Sequence, residues 1–399
     1  MVGLSVANQL IERGITKNII ILEKEDEIGL HSSGRNSGVL HAGIYYKPNS
    51  LKARVCIAGA KRLKEWIKER NLKLFSCGKV IVPQKPELDS QLDLLAKRGI
   101  ENGAKVEFLD EQQLHSLVPQ ARSASGRALW SPNTAVVKPI VILRRLLDEL
   151  QNKGVRLIKS SRDWKVCIKK KCITLSNSRE IYYDHLINCA GLQADKISHY
   201  FGVGLQYKIL PFKGIYWQIK NNSPFNIKTN LYPVPDLNVP FLGVHFTPSA
   251  DINPIITIGP TATPSLGREN YKGLKGVEPL EYLSNLSTLF NQYIMDLGGF
   301  RKYVKEQSLL SYKPFFIKAA QELIPTLEPR HIELSKKVGI RAQLFNKNTS
   351  KLEDDFLCLD GPNSTHVLNA ISPAFTASFA FADLVVDKLI KTNKSFQNE

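Results

Sequence analysis

His31-Ser32-Ser33-Gly34-Arg35-Asn36-Ser37-Gly38-Val39-Leu40-His41-Ala42-Gly43-Ile44-Tyr45-Tyr46 is the stretch around which the rest of the chain is read. It follows the aliphatic run Ile19-Ile20-Ile21-Leu22-Glu23 and precedes a long helical pattern. Three glycines, several Ser and Asn side chains, one arginine and two histidines share sixteen positions. Glycines let backbone approach a ligand closely, Ser and Asn hydrogen-bond phosphate or polyol oxygens, and Arg35 adds a planar cation. Such a composition also suits an ordinary structured loop, so its neighbours must decide.

Upstream, Leu4, Ala7, Leu10 and Ile11 recur at helical spacing and Gly14 ends the run, while Asn18 to Glu23 has the unbroken apolar character of a buried parallel strand. These are the helix and second strand of a dinucleotide-binding βαβ unit. Gly3 stands at the last glycine of GxGxxG, and Glu23, 20 residues on, is placed to accept the ribose hydroxyls. The first strand and the first two glycines would precede Met1 and are not in this sequence.

Downstream, helices are predicted over Ser50 to Arg70, Leu88 to Asn102, Val141 to Lys153, Glu278 to Asp296, Leu309 to Leu323 and Pro373 to Lys391. The strand Tyr182 to Cys189 runs into Ala190-Gly191, a second place where small residues expose backbone amides. From Gln206 the pattern becomes antiparallel sheet, with strands at Tyr207 to Ile219, Asn230 to Pro233, Phe241 to Thr247 and Ile255 to Gly259.

A length of 399 residues with 43% hydrophobic content supports a large core and two domains. No uninterrupted apolar run is long enough to span a membrane, and no secretory signal is visible, which predicts a cytoplasmic protein. Six scattered cysteines without a CxxC pair read as reduced thiols, with no metal site. The formal charge of +17 comes from dispersed lysines without a nucleic-acid motif, so nucleic acid is not an expected partner. Attraction to the anionic cytoplasmic face of a membrane stays open.

Taken together, Gly3 with Glu23, the 33–43 loop, Asn188-Cys189-Ala190-Gly191, Tyr232-Pro233-Val234-Pro235-Asp236, the run Pro240-Phe241-Leu242-Gly243-Val244-His245-Phe246-Thr247, Arg341-Ala342-Gln343 and Asn369-Ala370 with Ser372-Pro373-Ala374 resemble the FAD-dependent D-amino-acid-oxidase superfamily, and within it the L-2-hydroxyglutarate oxidase/dehydrogenase family. The resemblance covers essentially the whole chain. It implies an α/β plus α+β fold: a Rossmann-like FAD-binding domain (first strand missing) from residues 1–80, 135–205 and 335–399, interleaved with an antiparallel-sheet substrate domain from 81–134 and 206–334. The implied reaction is oxidation of L-2-hydroxyglutarate to 2-oxoglutarate by hydride transfer to flavin. In relatives the electrons often pass on to the membrane quinone pool.

The residues that the resemblance assigns to FAD are Gly3, Glu23, Lys24, Ser33, Gly34, Arg35, Asn36, Ser37, Gly38, Ala190, Gly191, Pro373, Ala374 and Thr376. A dicarboxylate needs cations, and Lys213, Arg268 and Arg341, with Tyr216, are the candidates. His41 is the first choice for the base that removes the hydroxyl proton, because imidazole accepts protons near neutral pH. His245 is its rival, set by strand alternation on the face opposite Leu242, Val244 and Phe246. The chain departs from the family pattern at Lys213, Ile215, Thr261, Gly267 and Ile371. Two alternatives therefore stand: a truncated, non-catalytic remnant, or a flavoenzyme acting on another anionic 2-hydroxy acid, glycerol phosphate or an amino acid. The oligomeric state is not legible.

Overall fold

Apolar spacing becomes structure largely as the periodicity predicts. In the computed structural model, which describes residues 1–235, 242–296 and 299–392, helix α1 (Val2–Glu12) buries Leu4, Ala7 and Leu10. Asp236, Pro240 and Phe241, quoted above, lie outside the described residues. Strand β1 (Ile20–Leu22) follows, then β2 (Val39–Leu40) within the glycine-rich stretch. Helix α2 (Leu51–Glu69) starts where predicted because the Ser50 hydroxyl accepts a hydrogen bond from the Ala53 N–H at 3.1 Å. Then come β3 (Lys79–Val82), α3 (Asp89–Glu101), β4 (Glu107–Leu109) and α4 (Glu111–Leu117), the last fixed by a capping box between Asp110 and Gln113. Strands β5 (Ala128–Ser131) and β6 (Ala135–Val136) lead into α5 (Pro139–Asn152) and β7 (Arg156–Ile158). A meander of β8 (Trp164–Cys167), β9 (Cys172–Leu175) and β10 (Glu180–Tyr182) precedes β11 (Leu186–Asn188) and α6 (Ala194–Tyr200).

The rest begins with β12 (Tyr207–Ile219), β13 (Asn230–Pro233), β14 (His245–Pro248), β15 (Ile256–Gly259) and β16 (Thr263–Pro264). Helices α7 (Pro279–Met295), α8 (Phe300–Leu310) and α9 (Lys313–Gln321) come next. The single helix predicted over Leu309 to Leu323 is therefore broken. Pro314 has no N–H to bond to residue 310, and it is taken up in the first turn of α9 instead. The chain closes with β17 (Ile332–Asn346), β18 (Lys351–Leu352), β19 (Leu357–Gly361), β20 (Ser364–Asn369) and α10 (Ala374–Thr392).

The described strands form five sheets. The largest has ten strands in the order β18-β17-β12-β15-β14-β13-β3-β5-β4, with β16 also on β12. Its pairs are antiparallel except β13 with β3. Strand β17 runs from 332 to 346 beside β12, straight through the boundary expected at 334/335, so residues up to 346 belong to this sheet. The parallel pairs β1–β7 and β11–β20 lie in separate small sheets, β19 adding antiparallel to β20. Helices α1, α2, α5 and α10 supply the apolar cores beside these parallel pairs. At Gly59 in α2, a Cβ would come within 2.6 Å of the Ala377 Cα, so glycine lets α2 and α10 touch backbone to backbone. That contact fixes the start of α10 behind the glycine-rich loop: Thr376 Oγ1 donates to the Val39 carbonyl and accepts from the His41 N–H, each at 3.2 Å.

Candidate active site

One face of the ten-stranded sheet meets the end of the glycine-rich loop, and polar side chains collect there. Strand β3 brings Lys79, β13 Tyr232, β14 His245, β12 Tyr216 and β17 Lys337 and Arg341, while the loop brings His41, Tyr45 and Tyr46. His245 lies opposite Gly259 in the β14–β15 ladder and stacks on Tyr232, ring centroids 3.9 Å apart and 18° from parallel. Lys79 is 1% exposed, with its ammonium 4.4 Å from the Tyr232 ring centroid and 4.9 Å from that of Tyr45. Among the described residues no carboxylate pairs with it. Lys337 lies 5.0 Å from the centre of the Tyr216 ring. Beside Lys337 opens a cavity of about 410 Å³, whose walls include Gly34, Arg35, Asn36 and Ser37.

Burial governs the titration of this cluster. Desolvation brings the Lys79 ammonium down to about 7 and that of Lys337 to about 8. His245 is driven down to about 3 by burial first, with the charges of Lys79 and Lys337 adding to it. Its Nδ1 is 2.7 Å from the Gly243 carbonyl, an acceptor only, so Nδ1 carries the proton and Nε2 is left as an acceptor. His41 is held well below the ordinary imidazole value by burial, then by Lys79, His245 and Arg341. Burial also lowers Arg341 and raises Tyr216 to about 12. The His41 Nδ1 and the Tyr45 hydroxyl are buried without a hydrogen-bond partner among the described residues. Such atoms are costly unless something else comes to meet them.

Two of the expected substrate cations are elsewhere. Arg268 is 4% exposed, its guanidinium bonded to both carboxylate oxygens of Asp195, to the Leu192 carbonyl and to Glu281. It ties α6 to the segment before α7 and has no donor aimed at the cluster. Lys213 is opposite Ile340 in the β12–β17 ladder whereas Arg341 is opposite Phe212, so the pleat sends the two cations to opposite faces. The Lys213 ammonium donates to Asn270 Oδ1 at 3.2 Å. Arg341 and Tyr216 do converge with the two histidines.

The expected cofactor residues divide likewise. Met1 reaches Ser33 Oγ at 3.0 Å, Gly3 lies against Cys189, and Glu23 ends β1 close by, so Gly3, Glu23, Ser33, Ala190 and Gly191 share one region. Gly34 and Gly38 press on the backbone of Gly29 and Val137, allowing the loop to fold tightly. Arg35 donates to the Leu30 carbonyl and stacks 4.3 Å over Tyr271, while Asn36 bonds Ser33 and Gly38. The Asn36 amide and the Arg35 Nε thus brace the loop. Lys24 is paired with Glu25 and Glu269, and His31 reaches Glu25 and the Tyr271 hydroxyl. Sequence reasoning missed Lys79, Lys337, Tyr45, Tyr46 and Tyr232. A lysine inside the apolar strand Lys79-Val80-Ile81-Val82 was the signal for the first.

Residues 1–388 match the FAD dependent oxidoreductase (DAO) family. The chain belongs to that family and is an oxidoreductase with FAD as its cofactor. Within the family it is similar to L-2-hydroxyglutarate dehydrogenases. The mitochondrial enzyme of Caenorhabditis elegans is 34% identical over 99% of this chain and 92% of the relative. That of Indibacter alkaliphilus is 33% identical over 98% of this chain and 97% of the relative. Among solved structures, the FAD-bound L-alpha-glycerophosphate oxidase of Mycoplasma pneumoniae superimposes with a TM-score of 0.71 at 19% identity, covering 97% of this chain and 92% of that one. It shares the fold. No described helix is long and apolar enough to cross a membrane.

The residues present fit the cofactor. Gly191 has φ +54°, and a Cβ there would meet nothing within 4 Å, so this turn faces open space. The N-terminus of α1 carries no side-chain cap, leaving amides for an anion.

Proposed function

We propose that this chain oxidises L-2-hydroxyglutarate to 2-oxoglutarate with FAD as the immediate electron acceptor. The observation that carries the proposal is Lys79, a buried ammonium held between two tyrosine rings with no carboxylate among the described residues to balance it. Lys337 and Arg341 add positive charge to the same pocket, which suits a small polyanion. The similarity to L-2-hydroxyglutarate dehydrogenases selects the dicarboxylate among such anions.

In this proposal Arg341 and Lys79 take the two carboxylates, and Tyr46 and Tyr216 offer hydroxyls to the same ligand. Gly3, Glu23, Ser33, Ala190 and Gly191 hold the adenosine and diphosphate, while Ser37, Gly38, Pro373, Ala374 and Thr376 border the ring system. Bound FAD supplies an acceptor for the C2 hydrogen and its electron pair. His41 takes the 2-hydroxyl proton at Nδ1, which has no partner among the described residues, and His245, its Nδ1–H held by the Gly243 carbonyl, keeps Nε2 as an acceptor. The division into a cofactor half and a substrate half belongs to the proposal, with its last boundary moved to 346/347. The electrons leave for a membrane quinone, and the protein works from the cytoplasmic membrane surface.

An anaerobic absorbance titration tests the reading. The purified chain with FAD should bleach at the flavin bands on addition of the L acid and not the D acid. Bleaching by glycerol phosphate or an amino acid, with none by L-2-hydroxyglutarate, overturns the substrate assignment.

A further inference from the structure

Helix α7 is amphipathic the wrong way round. Its buried positions are Asn285, Leu289 and Gln292, two of them amides. Its exposed positions include Leu280, Leu283, Leu286, Phe290 and Ile294, with Leu280 85%, Leu283 61% and Phe290 62% exposed. At about 100° per residue these five fall within an arc of about 120°, on the side away from the buried amides. Leu274, 82% exposed, extends the apolar surface past the helix start, and Met295 extends it past Ile294. Leaving such a stripe in water forfeits hydrophobic free energy that burial elsewhere recovers.

The charges around the stripe have one dominant sign. Exposed Lys272 and Lys275 flank Leu274, and exposed Arg301, Lys302 and Lys305 on α8 lie at the other end. Arg301 bonds the Tyr293 and Ile294 carbonyls, which ties it to the end of α7. The nearby acids are largely engaged: Glu278 with Lys196, Glu281 with Lys196 and Arg268, and Asp296 with the Arg301 N–H. An apolar stripe rimmed by cations matches an anionic bilayer surface, where the hydrocarbon side chains enter the headgroup boundary and the lysines meet lipid phosphates. A second copy of the chain would instead bring like charges together, on a protein already at +17.

We propose that α7, with Leu274 and the basic start of α8, is the surface by which this protein lies on an anionic membrane. It gives the peripheral location proposed above a physical contact. Vesicle binding is read without turnover, so its failure would leave the hydroxy-acid assignment standing.

The FAD-loaded full-length protein should co-sediment with vesicles of phosphatidylcholine and phosphatidylglycerol at about three to one, and much less with phosphatidylcholine alone. Binding should weaken in about 0.5 M salt. The double variant Leu283→Glu with Phe290→Glu should lose about tenfold or more of this affinity, with dye-coupled activity and Tm unchanged, since both side chains are exposed. Lys302→Glu with Lys305→Glu should remove the preference for anionic lipid. Undiminished sedimentation of the folded variants overturns the proposal. So does a parent protein that is dimeric in solution and that Leu283→Glu with Phe290→Glu converts to monomer, which assigns the face to a second copy.

Discussion

Replacing Lys79 by methionine should move stability and affinity in opposite directions. Its ammonium titrates at about 7 in the fold against its ordinary 10.5, because burial outweighs the opposing pull of Cys56 and Cys77. Holding the proton there costs roughly 4–5 kcal/mol. The contacts with Tyr45 and Tyr232 return about 1–2 kcal/mol of this. Methionine has similar length and no charge, so the ligand-free variant should gain about 2–4 kcal/mol at neutral pH, or about 2–5 °C in Tm for a chain of 399 residues. The sign with pH follows from the lowered value. The penalty is complete below pH 7 and vanishes above 10.5, so wild-type stability should climb toward that of the variant across this window. Affinity goes the other way. A charge-assisted bond to a buried carboxylate contributes about 1.5–3 kcal/mol, so KM for the dicarboxylate should rise about 10- to 100-fold. Differential scanning calorimetry from pH 6 to 10 and steady-state kinetics with a dye acceptor measure both arms. A variant with lower Tm and unchanged KM would refute the reasoning.

His41→Gln should lower kcat by about 10²–10⁴-fold while the flavin spectrum of the purified protein is retained; loss of flavin instead would move His41 to the cofactor contacts. Arg268→Met should leave Asp195 buried and unpaired, costing about 3–5 kcal/mol, or about 4–6 °C in Tm, with KM within about twofold of the parent. A large rise in KM with Tm unchanged would return Arg268 to the substrate site.

What was legible in the sequence was whatever had a local pattern. Helices α1, α2, α5 and α10 have apolar stripes with end signals such as Ser50 and Gly14, and they lie within a residue or two of the predicted limits. Strands β17 and β20 were not legible. The first carries Glu333, Lys336 and Lys337 among its apolar residues, and the second reads Ser364-Thr365-His366-Val367-Leu368-Asn369, yet all six of these are buried. Part of this polarity is met by distant partners: His366 reaches Asn188, and Asn369 donates to the carbonyls of Glu353 and Asp355. No spacing rule shows such partners. The two candidate histidines, His41 and His245, stood out because each is unusual where it lies. Lys79 did not, because on paper an interior lysine resembles the edge lysines that guard exposed strands, and only the tertiary fold shows this one sealed between aromatic rings. Arg268 failed for the converse reason. Its carboxylate partners, Asp195 and Glu281, are 73 and 13 residues away, so the sequence displays the cation without what neutralises it.

The charges at the site also bear on how binding and chemistry are linked. The pocket places Lys79, Lys337 and Arg341 around two histidines whose basicity burial has already suppressed. An imidazole in that state is neutral but a poor acceptor, since the proton it would take is repelled by the cations beside it. Two carboxylates entering the pocket oppose each of those repulsions. They restore protons to Lys79 and Lys337 and raise the proton affinity of His41 and His245 together. The group that makes the ligand bind is thus the group that makes the base competent. A monocarboxylate supplies half of this compensation, and an amino acid adds a cation that cancels part of it. On this proposal, discrimination against both falls on kcat as well as KM, because it acts through the base and not only through contact with Arg341.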